Sequence, residues 1–229
     1  MAARNEPRRF AGEGGAVSGT VALPEGRRPQ ATVVLAHGAG APMNAPLLVD
    51  LAGRLAERGI AVVRFNFPYA ERGARVPDRA PVLEACYRAV LAAVRADPQL
   101  GGGTRLVIGG KSMGGRMASH LAAAGEPVDG LVFLGYPLHP AGRPTQLRAA
   151  HLPRIAAPML YVTGTRDALC ELELLREVLR DLPRATLHVV EDGDHSFHVR
   201  KRTGRGRAET VEEIAAATSD WLRATAHLP

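Results

Sequence analysis

Residues 106–116, Leu-Val-Ile-Gly-Gly-Lys-Ser-Met-Gly-Gly-Arg, constrain the fold more than any other stretch of this chain. A short apolar run enters Gly110-x-Ser112-x-Gly114 and passes at once into a small-residue helical pattern. That succession specifies a strand, a very tight turn and a helix. Gly110 and Gly114 carry no side chains, so strand and helix can close on each other at the corner. Ser112 must then take a strained backbone conformation, with its hydroxyl lifted above the end of a sheet at a helix N-terminus. Backbone N–H groups and the positive end of the helix dipole surround that position, where a developing oxyanion can be held. Gly-x-Ser-x-Gly also arises by chance in Gly/Ser-rich loops, and it is the strand in front that favours the chemical reading.

The rest of the chain alternates in the same way. Ala16–Leu23 reads as an edge strand, and Ala31–Ala36 and Ile60–Phe65 as strands buried on both faces. Between the last two, Leu48, Leu51, Ala52 and Leu55 share one helical face, and Gly59 sits where a C′ glycine belongs. Asp78 is the expected N-cap of a helix running to about Arg95, with Val82, Ala85, Cys86, Ala89, Val90 and Ala93 inward. Thr104–Gly109 is the strand that feeds Ser112, followed by a helix over Arg116–Ala124. Strands follow at Leu131–Leu134, Pro158–Thr163 and Thr186–Glu191, with helices at Leu169–Leu182 and Ala208–Ala226. Trp221, on the inner face of the last helix, belongs to the core. The expectation is one α/β domain over residues 14–229, a mostly parallel sheet with helices on both faces, preceded by a loosely ordered polar segment 1–13.

Composition narrows the classes. At 229 residues with 46% hydrophobic content, the chain can bury a large core without staples. No run approaches the roughly 18 apolar residues of a membrane span, and the first ten residues lack the apolar region of a secretory signal. Cys86 and Cys170 form no disulfide or metal pattern, so a cytoplasmic location is the default expectation. The net charge of +6 raises the question of nucleic acid. Lys111 and Lys201 are the only lysines, however, and the arginines are scattered among acids except in Arg200-Lys201-Arg202-Thr203-Gly204-Arg205-Gly206-Arg207. No aromatic residue interleaves with that run, so it reads as a solvated loop, with nucleic-acid binding the least supported partner class. The sequence leaves the oligomeric state open.

In an open α/β sheet, functional groups gather at the carboxyl ends of the strands. Ser112 lies beyond one strand, Asp167 just past Pro158–Thr163, and His195 just past Thr186–Glu191. The order Ser, Asp, His is the one the strand–turn–helix serine motif uses. In that reading Ser112 carries the acyl group, His195 takes and returns its proton, and Asp167 fixes the imidazole tautomer. Asp192 and Asp194 are rivals that more naturally shape the turn before His195. His198 competes with His195, which is preferred because it follows the Asp192-Gly193-Asp194 turn directly. His120, His188 and His227 fall within elements and read as structural or surface residues. The loop His37-Gly38-Ala39-Gly40-Ala41 follows the strand 31–36 and supplies a second oxyanion donor, the N–H of Ala39 or of Gly40, opposite that of Met113. His37 itself reads as a loop-holding histidine. Lys111 is expected to lean away across the turn. Gly40, Met43, Tyr69 and Tyr136 are candidates to line a pocket. The chemistry asks for no metal or cofactor.

These residues resemble the α/β-hydrolase superfamily from about residue 14 to 225. The motifs that carry the likeness are His37-Gly38-Ala39-Gly40, Gly110–Arg116, Gly164–Asp167 and Gly193–Phe197. The chain looks like the small lidless branch near the dienelactone hydrolases. More narrowly, Gly-Lys-Ser-Met-Gly-Gly-Arg and Phe65-Asn66-Phe67-Pro68-Tyr69 are similar to a family containing a testis-expressed mammalian protein and a subunit of the non-specific-lethal complex. Dienelactone hydrolases use a cysteine where this chain has Ser112, so their substrate does not carry over. The resemblance implies serine-hydrolase chemistry on small ester or thioester substrates. The alternatives are a peptidase or amidase with the same residues, and a non-catalytic interaction module. Gly135–Ala157, where many relatives insert a lid, is too short here for a cap domain.

Overall fold

The computed structural model describes residues 4–12 and 15–226. Eight strands form one sheet: β1 (Arg4–Phe10), β2 (Val17–Leu23), β3 (Ala31–Ala36), β4 (Ile60–Phe65), β5 (Arg105–Lys111), β6 (Gly130–Leu134), β7 (Met159–Gly164) and β8 (Ala185–Val190). Their spatial order is β1-β2-β4-β3-β5-β6-β7-β8. β1 and β2 are antiparallel to their neighbours, and all pairings from β4 through β8 are parallel. β3, β4, β6 and β7 are buried along their whole length, as strands covered on both faces must be.

The faces are covered by α1 (Pro46–Glu57) and α6 (Arg207–Ala224) on one side, and by α3 (Ala80–Ala96), α4 (Met113–Ala123) and α5 (Leu172–Arg180) on the other. A single turn, α2 (Pro68–Glu71), follows β4. Trp221 is a core residue of the α1/α6 side. Register sets the functional rim: Ala36 pairs with Gly110, Lys111 with Leu134, and Gly164 with Val190. The loops that follow β3, β5, β6, β7 and β8 therefore leave the sheet at one edge.

Three expectations change. Residues Arg4–Phe10, expected to be loose, form β1, so the edge of the sheet is β1 and Val17–Leu23 is the second strand. A strand this polar takes its stability from the ladder along β2 and from Phe10, whose ring lies over Gly19 where a side chain would collide with it. The inward stripe of α3 is Leu83, Cys86, Tyr87, Val90, Leu91 and Val94, one step on from the expected phase, and Val82 is exposed. Asp78 does not cap α3; it accepts a hydrogen bond from Arg72 (2.7 Å), and Arg79 is the N-cap residue. The reading of His227 lies outside the described residues.

Candidate active site

β5 runs through Gly110 to Lys111, and α4 begins at the residue after Ser112. Ser112 has φ 49° and ψ −112°, a left-handed conformation that costs an L-residue of order 1–3 kcal/mol. The surroundings enforce it. A Cβ on Gly110 would lie 2.2 Å from the Ala36 carbonyl oxygen, and one on Gly114 would lie 2.3 Å from the same atom. Strand and helix thus meet closer than any side chain permits. The Ser112 N–H donates to Leu134 O (3.0 Å), which ties the corner to β6. Below it the Tyr87 hydroxyl accepts from Gly109 N–H (3.0 Å) and lies 2.7 Å from Val34 O, bracing β5 against β3. Tyr87 was not legible as part of this support, because its only sequence signal is a place on a helical stripe.

Three residues converge above this corner. His195 Nε2 is 2.9 Å from Ser112 Oγ, and His195 Nδ1 is 2.9 and 2.8 Å from the two oxygens of Asp167. The Asp167 side chain is fully buried, and its Oδ1 also accepts the Leu169 N–H (2.8 Å), which fixes the carboxylate plane. The rivals have other work. Asp192 takes Arg200 through its backbone N–H (2.8 Å) and guanidinium Nε (2.6 Å), contacts that hold its carboxyl well below the usual range. Asp194 accepts the N–H groups of Ser196 (2.8 Å) and His198 (2.9 Å) and so shapes the turn. His198 is 72% exposed, and its Nδ1 lies 3.6 Å from Asp194 Oδ2. The sequence-selected Ser112, Asp167 and His195 are the residues brought together.

The loop after β3 is held by several bonds. His37 is buried; its Nε2 accepts the Phe67 N–H (3.0 Å), leaving Nδ1–H to donate to Gly38 O (2.9 Å). Burial lowers its pKa, so it stays neutral and structural, as expected. Gly38 faces Ser112, where a Cβ would stand 3.7 Å from the serine Cβ. The Tyr69 hydroxyl also reaches Gly38 O (3.3 Å), and the Gly40 N–H faces that hydroxyl. Met43 donates its N–H to Asn66 Oδ1 (2.8 Å) and accepts from Arg64 Nη1 (3.0 Å), which lies 3.3 Å from Asn44 Oδ1 as well.

Arg64 is only 3% exposed and has no carboxylate partner among the described residues, so a buried cation is spent on positioning this loop. An apolar side chain of similar length removes the cost of burying that charge but leaves the Met43 carbonyl without its donor, and the two effects oppose each other. Arg64→Met is therefore expected to move the denaturation midpoint little while lowering kcat about tenfold at similar KM. A tenfold loss is the size expected if this loop holds an oxyanion donor, whose outright removal costs ~100-fold. Steady-state kinetics beside urea denaturation checks both halves.

Four placements differ from expectation. The side chains of Met43, Tyr69 and Tyr136 are buried. Tyr136 packs on Phe133 and Tyr161 and donates to Arg148 O (2.9 Å). All three support loops instead of lining a pocket; of the four pocket candidates only Gly40 is exposed. An amphipathic tyrosine looks the same in sequence whether its ring faces a ligand or a core. Lys111 does not lean away. Its stem packs against Gly38, its Nζ lies 5.9 Å from the Phe197 ring centre, and a Cβ on Gly135 would touch Nζ, Asp167 Oδ2 and the His195 carbonyl alike. Burial pulls its pKa down to about 8 against the opposing pull of Asp167 and Asp194. A cavity of about 330 Å³ adjoins this lysine on the α1/α6 side, walled by Gly38, Ala41, Leu48, Phe197 and Val211.

The basic run is largely compensated within the protein: Arg200 pairs with Asp192, Arg205 with Glu213 and Arg207 with Asp50. Cys86 and Cys170 are free and buried. No described helix is long and apolar enough to cross a membrane.

A parallel sheet wound in this order, with a serine corner and strand-end loops at one rim, defines an α/β hydrolase fold. The chain belongs to the alpha/beta hydrolase domain family, whose profile matches residues 29–223. A dienelactone hydrolase from Anabaena variabilis superposes with TM-score 0.76 at 19% identity, covering 97% of this chain and 98% of that one. An α/β serine hydrolase without lid from Xanthomonas campestris gives 0.73 at 25% identity, covering 96% and 94%. An α/β serine hydrolase homologue from Coxiella burnetii gives 0.75 at 22%, covering 93% and 96%. The chain shares the overall fold of these neighbours.

Proposed function

We propose that this protein is a serine hydrolase that cleaves carboxylic esters or thioesters of small soluble substrates through an acyl-enzyme. The observation that carries the reading is the continuous hydrogen-bonded path from Asp167 through His195 to Ser112 Oγ, with distances of 2.8 and 2.9 Å. Ser112 attacks the carbonyl carbon while His195 Nε2 accepts its proton. Asp167 keeps Nδ1 protonated and offsets the imidazolium charge. The C–O or C–S bond to the leaving group then breaks, and His195 returns the proton to it. Water, deprotonated by the same imidazole, releases the acid. The N–H groups of Met113, at the start of α4, and of Ala39 are assigned to the oxyanion. Gly40 is the lesser candidate because its N–H already faces Tyr69.

The strained Ser112 backbone supports a catalytic over a scaffolding role, since a non-catalytic interaction module gains nothing from that cost. The two unpaired thiols favour a reducing compartment, which is the basis for placing the protein in the cytoplasm. With no lid over Ser112, nitrophenyl esters of short acyl chains are expected to turn over faster than long ones. A panel of rising chain length measures this, and rates that climb steadily to long acyl chains would contradict the small-substrate assignment.

A further inference from the structure

Arg116 and Arg148 stand out among the described arginines. Both are partly buried, and among the described residues neither has a carboxylate in ion-pair range or a hydrogen-bond partner for its side chain. The Nε of Arg116 is buried and finds no acceptor in the protein. A chain of contacts links the backbones of the two residues. Ser119 Oγ donates to Arg116 O (2.7 Å) and meets His151 Nε2 (2.7 Å), which lies 3.5 Å from the Tyr136 hydroxyl, which donates to Arg148 O (2.9 Å).

The local field is positive. Burial, then the Arg116 charge, lowers the Arg148 pKa. Burial followed by His120, Arg116 and Arg154 pushes His151 down to about 4, so that it stays neutral. Glu84, the acid near this group, is taken by His120 Nδ1 (2.9 Å). Two partly buried guanidiniums near enough for one charge to act on the other, with no carboxylate in ion-pair range of either among the described residues, raise the energy of the free protein, and an oxyanion bound by both removes that cost.

Their location gives the site a purpose. Arg116 is four residues beyond Ser112, its N–H donates to Ser112 O (3.0 Å), and four helical residues rise about 6 Å along one face. Arg148 belongs to the segment after β6, which flanks Ser112 on the side away from the 37–44 loop. We infer that Arg116 and Arg148 form an anion-binding subsite that selects substrates carrying a carboxylate or phosphate group a few atoms from the scissile carbonyl. This rests on the serine-hydrolase reading above. A monoester of a short dicarboxylic acid has that form.

The test compares nitrophenyl hemiglutarate with nitrophenyl valerate, which has a similar length and no charge. The wild-type enzyme is expected to favour the hemiglutarate by about tenfold or more in kcat/KM, the size of a charge-assisted hydrogen bond. Arg116→Gln and Arg148→Gln should each remove most of that preference while leaving valerate turnover unchanged. In parallel, the melting temperature is followed with glutarate and with inorganic phosphate. At least one should raise it in the wild type and in neither variant, and the stronger of the two identifies the oxyanion. Equal turnover of both esters, or a preference that survives both substitutions, overturns the subsite and leaves the serine chemistry standing. Stabilisation by neither anion overturns it too. If neither ester is cleaved while an anion still stabilises the wild type alone, the subsite holds and the serine-hydrolase reading falls.

Discussion

Ser112→Ala is expected to abolish labelling by a fluorophosphonate probe and to lower ester hydrolysis by about 10⁴- to 10⁶-fold. The argument is one of geometry. Ser112 Oγ is the hydroxyl that His195 Nε2 reaches, at 2.9 Å, and it stands at the N-terminus of α4 beside the Met113 N–H. Alanine keeps the Cβ, so it leaves the corner between Ala36, Gly110 and Gly114 as it is, and the melting temperature should hold. Residual turnover would come from the proposed oxyanion donors and substrate binding. Labelling that survives the substitution would mean that another nucleophile reacts, and the acyl-enzyme assigned to Ser112 would fail with it.

His195→Ala should cost about as much, near 10⁴-fold or more in kcat/KM, whereas His198→Ala should stay within about threefold of wild type. The two histidines are three residues apart, and residue type alone does not separate them. Their surroundings do. His195 is hydrogen-bonded on one side to the buried Asp167 and on the other to Ser112, while His198 points into solvent beside Asp194. Parallel measurement of both variants on one ester decides the assignment, and a large loss at His198 with a small one at His195 would reverse it.

The site was readable because parallel sheets bring strand ends to one rim, so a residue's position past a strand is nearly a spatial coordinate. Ser112, Asp167 and His195 each follow a strand whose apolar run is plain in the sequence. The failures share a different cause. β1 carries no apolar signal of its own; it is a strand because β2 offers it an unpaired edge. The phase of α3 slipped by one because alanine and valine are compatible with either face, and it was Leu83, Tyr87 and Leu91 that fixed it. Tyr69, Tyr136 and Met43 were assigned to a pocket by their position near strand ends, yet each side chain turns inward. Arg64 and Lys111 were missed as neighbours of the site because an arginine or lysine at a strand position ordinarily reads as exposed. Such residues are recognised only when the packing around them is known.

The path from Asp167 to Ser112 has a consequence for how the molecule comes into being. Its two hydrogen bonds join residues 28 and 83 positions apart in the chain; the shorter link spans the β7–β8 crossover and the longer one all three parallel crossovers from β5 to β8. Parallel pairing is slow to form because the intervening chain must close before the contact rewards it. No fragment of this protein can hold the imidazole over the serine until β5, β6, β7 and β8 are all in register. On the proposed chemistry a chain in which these four strands are not yet paired, however helical, is chemically silent, so the appearance of a reactive serine would mark the moment at which β5 to β8 have closed.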